Sequence, residues 1–180
     1  ENEGIETQSY AIHLPEFHTV PLPDHAVRLS DLKDFDKHSM NVLEYMSRRN
    51  LELEDTNYYW SSSLGYRDRL IIPFYYQEKI VGWTARSIIP DKKPKYLSEQ
   101  QAGFVYGLDW QTYNRNFVLV CEGQLDAIHV QGCALGGSEI SDQQALLLER
   151  LGKRIVIIRD RINDYTQFLH KELDREWSVS

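Results

Sequence analysis

Two stretches of this chain constrain its fold more than any others. Phe117-Val118-Leu119-Val120-Cys121 and Ile155-Val156-Ile157-Ile158 are unbroken apolar runs, too short for helices and flanked by polar residues. A half-buried strand alternates apolar and polar residues. An unbroken run has both faces covered, as in a parallel sheet with helices on either side. The intervening sequence supplies such helices. Residues 125–130 read as one. Cys133-Ala134-Leu135 is a short strand candidate ended by Gly136-Gly137. Ser141-x-x-Gln144 has the form of a capping box ahead of Ala145-Leu146-Leu147-Leu148. A further helix is expected at about 164–176, and Trp177-Ser178-Val179-Ser180 begins a fourth strand that the chain cuts short. Strands alternating with helices of this length imply βαβ units with right-handed crossovers.

The upstream half reads differently. Residues 1–35 are punctuated by Pro15, Pro21 and Pro23 and keep no period. A helix is expected over 36–49, where Met40, Val42, Leu43, Tyr45 and Met46 fall on one face. A Tyr- and Trp-rich stretch, 57–66, follows. Residues 69–88 read as a hairpin turning at Gln77-Glu78-Lys79. Pro90-Asp91-Lys92-Lys93-Pro94-Lys95 is a basic loop. The expected organisation is therefore an α+β subdomain over 1–112, irregular through residue 35, and a mostly parallel α/β domain over 113–180.

Composition narrows the partners. The net charge is −7, which argues against a protein that coats nucleic acid nonspecifically but leaves room for a local basic groove. No apolar run is long enough to span a bilayer, and the N-terminus lacks the pattern of a signal peptide. The chain starts at Glu1, so upstream segments are expected. Cys121 and Cys133 have no CxxC spacing and sit in apolar runs, so buried thiols are expected; His129 with Cys133 gives too few ligands for zinc.

The chemistry is expected at the carboxyl ends of the parallel strands, where open α/β sheets bind ligands. Glu122 follows the first apolar run, Asp160 follows the second after one residue, and Asp126 lies four residues beyond Glu122. Gly123 lets the chain turn and a ligand approach. Converging carboxylates are hard oxygen ligands suited to Mg²⁺ or Mn²⁺. The plainer alternative is that acids end strands and cap helices, and that Asp126 only favours a helix start.

The segment Val118-Leu119-Val120-Cys121-Glu122-Gly123-Gln124-Leu125-Asp126-Ala127-Ile128 resembles the first signature of Toprim domains: an apolar strand, Glu-Gly and a following Asp. Their second signature is an apolar strand followed by Asp-x-Asp. Here Ile155 to Ile158 leads to Arg159-Asp160-Arg161-Ile162, so Asp160 matches the first Asp and Ile162 stands where the second is expected. Upstream, Arg69-Leu70-Ile71-Ile72-Pro73-Phe74, Gly82-Trp83-Thr84-Ala85-Arg86, Pro94-Lys95-Tyr96-Leu97-Ser98 and Tyr106-Gly107-Leu108 resemble the catalytic core of bacterial- and phage-type DNA primases. Leu135-Gly136-Gly137-Ser138 resembles the Gly-rich stretch between the acidic motifs. The resemblance covers about residues 40–180.

The resemblance implies a Toprim-like, mostly parallel sheet preceded by a smaller α+β subdomain with a β-hairpin. It implies synthesis of RNA primers on a single-stranded DNA template from ribonucleoside triphosphates, with a replicative helicase as a possible partner, in the cytoplasm of a bacterium or phage-infected host. Glu122, Asp126 and Asp160 would hold Mg²⁺ or Mn²⁺. Arg67, Arg69, Arg86 and Lys95 would bind nucleic acid or nucleotide, with Lys92 and Lys93 as neighbours. Trp83 and Tyr96 could stack on bases, although packing of the hairpin is the simpler role. Ile162 opens a rival reading, a degenerate Toprim module that binds nucleic acid or a replication partner without catalysis; a Toprim nuclease fits the acidic motifs but not the upstream primase-like half. Asp164, two residues on, is a candidate substitute ligand. A zinc-binding module common in such primases has no Cys/His set here.

Overall fold

The computed structural model describes residues 14–53, 57–111, 114–158 and 177–179. The expected helix at 164–176 and the calls on Asp160, Ile162 and Asp164 lie outside them, as does the expected boundary at 112–113. Two sheets organise the chain. Strands β1 (Ala26–Arg28), β2 (Tyr59–Ser61), β3 (Arg69–Tyr76), β4 (Lys79–Ser87) and β5 (Tyr96–Glu99) form an antiparallel sheet in sequence order. Strands β6 (Phe117–Cys121), β7 (Cys133–Ala134), β8 (Arg154–Ile157) and β9 (Ser178–Val179) form a parallel sheet in the order β7-β6-β8-β9. The molecule is thus mixed α/β, with one antiparallel and one parallel sheet.

Helices α1 and α3 start where side chains cap them. In α1 (Lys37–Arg48) the Asp36 side chain accepts the Ser39 amide, and Ser39 Oγ accepts the Asp36 amide in return. In α3 (Asp142–Glu149) Ser141 and Gln144 form the same reciprocal pair. Between them, α2 (Gln124–Val130) crosses from β6 to β7. Among the described residues no helix is long and apolar enough to cross a membrane.

The expected irregularity of residues 1–35 is corrected at 26–28, which pair with β2 in register Ala26–Ser61 to Arg28–Tyr59. The pairing is long-range, so no local period announces it. β2 and β5 are likewise short strands made by their neighbours. The hairpin β3–β4 turns at Gln77-Glu78, both at positive φ (49° and 65°), the twist that suits a two-residue loop. Its register moves from Phe74–Gly82 to Tyr75–Ile80 and skips Val81. This bulge sends Val81 to the face opposite Trp83 and Ala85.

Each face of the antiparallel sheet is covered. Val20 and partly buried Leu22 close the face carrying Ile71, Trp83 and Ala85. The other face, with Leu70, Ile72 and Phe74, packs on Val42, Tyr45 and Met46 of α1 and on Cys121, Leu125, Ala127 and Ala134 of the parallel half. Phe104 and Tyr106 bridge the two halves: Phe104 stacks on Phe74 at 5.2 Å, and Tyr106 exchanges both backbone hydrogen bonds with Ala134. The far side of the parallel sheet packs Val118, Val120, Ile155 and Ile157 on Leu147 and Leu148 of α3.

Candidate functional site

The order β7-β6-β8-β9 has a switch point. From β6 the chain moves through α2 to β7 on one side, then returns through α3 to β8 on the other. The crevice at the carboxyl ends of β6 and β8 is where such a sheet can receive a ligand. Glu122 lies there, half-buried, directly after β6. Its carbonyl accepts the Gly136 amide at 2.9 Å, and the Cys121 carbonyl accepts Leu135 at 3.1 Å, which hangs the Gly-rich stretch beside the end of β6. Gly136 has φ +76°, and a side chain there would run into the Gln100 amide, which itself donates to the Leu135 carbonyl at 2.9 Å.

Asp126 is exposed in the first turn of α2. The sharp turn expected of Gly123 is absent: its φ of −102° and ψ of 147° are extended. What glycine provides is room, since a Cβ there would sit 3.0 Å from Asp126 Oδ2. The Asp126 carboxylate therefore folds back toward Glu122's end of the strand. Among the described residues no group of three or more Asp, Glu, His or Cys side chains gathers to hold a metal. The third expected ligand, Asp160, is outside that set.

The basic residues separate by geometry. Arg69 is buried, and its guanidinium donates to four carbonyl oxygens: Gly65 at 3.2 Å, Ala85 at 3.1 Å, Lys95 at 3.4 Å and Pro94 at 2.9 Å. Burial pulls its pKa down, against the partial support of Tyr66 and Asp68. In this arrangement Arg69 positions the Pro94-Lys95 segment and offers solvent little. Arg67 and Lys92 face Asp68, at 3.9 and 3.6 Å, where His38 Nδ1 is also hydrogen-bonded at 2.6 Å. Lys93 and Lys95 are exposed.

Arg86 is different. It stands opposite Tyr96 across β4 and β5. Its guanidinium carbon is 5.1 Å from the Tyr96 ring centre and 5.9 Å from that of Tyr45 on α1, and Nη1 donates to Tyr96 Oη. Lys95 Nζ is 5.5 Å from the Tyr96 ring, and Arg49 lies 5.5 Å from the Tyr45 ring. Burial holds the Tyr96 phenol above its ordinary value; the Arg86 charge opposes this, and Tyr45 and Asp126 add to it. Trp83 only packs: it is buried, meets Tyr66 edge-on at 5.7 Å and donates to the Pro21 carbonyl.

Sequence reasoning placed Tyr45 on a core face and missed that it joins this cluster; only its position next to a basic helix end, Arg48-Arg49, hinted at it. His129 and the cysteines are structural. His129 ties α2 to α1 through Leu125 and Arg49 carbonyls, each at 2.7 Å. Both thiols are buried, and burial, with Cys121 nearby, pushes Cys133 up to about 12. A cavity of about 230 Å³ among Ile72, Pro73, Tyr75, Tyr106, Asp109 and Trp110 contains none of the expected site residues.

No family model matches the chain. A DNA primase of Clostridium acetobutylicum is 29% identical over 110 residues, which is 53% of this chain and 18% of that protein. The E. coli primase catalytic core superimposes with a TM-score of 0.65 at 16% identity, covering 82% of this chain and 63% of that one. A DnaG primase catalytic domain bound to single-stranded DNA gives 0.64 at 15% identity, covering 82% and 64%. The RNA polymerase domain of Mycobacterium tuberculosis DnaG, in complex with a double-stranded DNA oligomer with a 6-nucleotide overhang, gives 0.64 at 14% identity, covering 85% and 68%. The chain therefore spans under a fifth of the Clostridium protein and about two thirds of each of these solved chains.

Proposed function

The chain has the fold of a bacterial-type primase catalytic core, and from that premise we propose that it performs template-directed transfer of ribonucleotides onto a short RNA primer on single-stranded DNA. The observation that supports this best is the position of Glu122, directly after β6 at the switch point of the parallel sheet, with its carbonyl tied to Gly136. Phosphoryl transfer needs little covalent chemistry from a protein; it needs charge placed around phosphate oxygens. In this reading residues 113–180 are a Toprim domain, and Glu122, Asp126 and Asp160 are the metal-binding acids.

Carboxylate oxygens are the donors that Mg²⁺ and Mn²⁺ favour, and such an ion would neutralise phosphate charge there. The chain's own residues do the rest. Glu122, held by the strand and by the Gly136 contact to its backbone, presents a carboxylate at the switch point. Arg86 and Lys95 attract phosphates of template or nucleotide, and Arg69 fixes the loop from which Lys95 projects. A replicative helicase would be a partner of the whole protein, as the family resemblance implies.

Ile162 favours a second reading. Where the second Toprim signature expects Asp, it supplies no oxygen, so the module could bind nucleic acid or a replication partner without catalysis. A Toprim nuclease fits the acids but not the primase-like upstream half. Incubation with single-stranded DNA and labelled ribonucleotides separates the three. RNA products that vanish in folded Glu122→Gln support the primase; binding alone supports the second reading; cleaved DNA supports the nuclease. Full activity in Glu122→Gln refutes a catalytic role for this carboxylate. If priming is seen, Ile162→Asp is expected to tighten Mn²⁺ binding in calorimetry and raise the yield. No change in either places Ile162 away from the metal.

A further inference from the structure

The cavity of about 230 Å³ beside β3 is lined by none of the acids or bases assigned above. It is far larger than the space one water fills, and close-packed proteins leave few such voids. Its walls are aromatic: Tyr75 on β3, Tyr106 after β5, and Trp110. Tyr106 and Trp110 meet edge to face at 5.0 Å, and the Trp110 indole donates to the Gly132 carbonyl at 2.9 Å. Gly107, at φ +83°, lets the backbone lie against that indole, since a Cβ there would sit 2.5 Å from Trp110 Nε1. Rings held in place this way need little rearrangement to receive a ligand. The mouth is acidic, with Asn57 and Asp109 as the exposed members of the lining. The Asp109 carboxylate accepts the Gln77 and Glu78 amides of the hairpin turn, and the Glu78 charge stands beside it. Two amides leave acceptor capacity on a carboxylate. Arg28, whose charge acts on Tyr75, lies 6.0 Å from the Tyr59 ring and also interacts with Asp31. Aromatic walls beneath a carboxylate suit an organic cation: the rings attract its charge and cover its stem, and the acid pairs with it. A phosphate would meet two carboxylates instead.

We propose that this cavity binds an organic ammonium on a short aliphatic stem, with the charge at Asp109 and the stem among Tyr75, Tyr106 and Trp110. A free amine and the lysine side chain of a partner carry the same chemistry. The site shares no residue with the carboxyl end of β6, so it goes beyond nucleotidyl transfer and does not rest on it.

The test follows the tryptophan indole N–H signals of the whole, isotope-labelled chain by nuclear magnetic resonance. The chain has four tryptophans, and Trp110→Phe identifies the signal of Trp110. Trp60 and Trp83 donate to the Arg67 and Pro21 carbonyls and do not line the cavity, so their signals report on the fold. Butylammonium is expected to shift the Trp110 signal saturably and leave those of Trp60 and Trp83 in place. Butanol and butyrate, with a stem of the same length, should bind more weakly. Asp109→Asn keeps an oxygen for the turn amides and should weaken butylammonium by about 3-fold, the ordinary worth of an exposed ion pair. Glu149→Gln, exposed on α3, should change nothing. Nα-acetyl-lysine amide separates the two sources. Binding as tight as that of butylammonium assigns the cavity to a partner's side chain, and weaker or no binding assigns it to a free amine. No shift of Trp110 with either cation, equal binding of butanol, or an unchanged affinity in Asp109→Asn overturns the proposal.

Discussion

Arg69 and Arg86 lie on paired strands, and burial separates what each can do. Arg69 uses its planar fork on the carbonyls of Gly65, Ala85, Pro94 and Lys95. Lysine is a point charge and cannot reach that set. Arg69→Lys is therefore expected to lower stability by roughly 2–4 kcal/mol in urea denaturation, because a buried cation loses acceptors and the Ala85 carbonyl loses a buried donor. The fraction that remains folded should bind single-stranded DNA more weakly, because the Pro94-Lys95 segment loses its clamp. Asp68 gives a residue-scale prediction with a pH sign. Burial works to raise its carboxyl, but the His38 hydrogen bond and charge, with Lys92, outweigh burial and hold it below its ordinary value. A folded-state pKa below the unfolded one stabilises the protein above the unfolded value, about 3.9, and the benefit is lost as pH falls through the folded value. Asp68→Asn should accordingly melt lower than wild type at pH 7, and the two melting curves should converge as pH drops below the carboxylate range.

At the scale of elements, α3 shows how one residue can serve a helix and the tertiary fold together. Ser141 and Gln144 cap the helix, but the Gln144 amide also donates to the Phe104 carbonyl at 2.9 Å and to the Leu135 carbonyl at 3.1 Å. Phe104 belongs to the bridge between the sheets, and Leu135 to the stretch beside Glu122. Ser141→Ala should cost about 1 kcal/mol, the ordinary value of a cap. Gln144→Ala removes buried hydrogen bonds as well and should cost roughly 2–3 kcal/mol by the same denaturation measurement. Equal losses would show that the cap is the whole contribution of Gln144.

At the scale of the molecule, the two sheets share a core. Phe74, Phe104 and Tyr106 form an aromatic cluster with ring separations of 5.2 and 5.6 Å, in contact with residues of both halves. Phe104→Ala should lower stability by roughly 3–5 kcal/mol. A shared core also implies one cooperative transition. Tryptophan fluorescence and far-ultraviolet circular dichroism should report the same urea midpoint, and residues 113–180 expressed alone should lack a sharp transition. Two separated midpoints would mean that the halves fold independently.

The sequence by itself determined the elements whose signal is local. The unbroken runs at β6 and β8 announced a parallel sheet because burial on both faces removes alternation. The capping pair at Ser141 and the turn at Gln77-Glu78 act over three or four residues. The position of Glu122 directly after β6 was legible because the apolar run ends at Cys121. Tertiary structure alone decided what depends on distant partners. β1, β2 and β5 are strands because neighbours supply their hydrogen bonds. Arg69 became a backbone clamp, although its type and motif match those of Arg86, because the Pro94-Lys95 segment folds over it. Tyr45 reads as one more apolar residue on a helix face, yet its ring lies 5.9 Å from the guanidinium of Arg86, on a strand about forty residues away. Periodicity records which face a side chain takes, whereas the partners found on that face are set by how the sheets and helices pack.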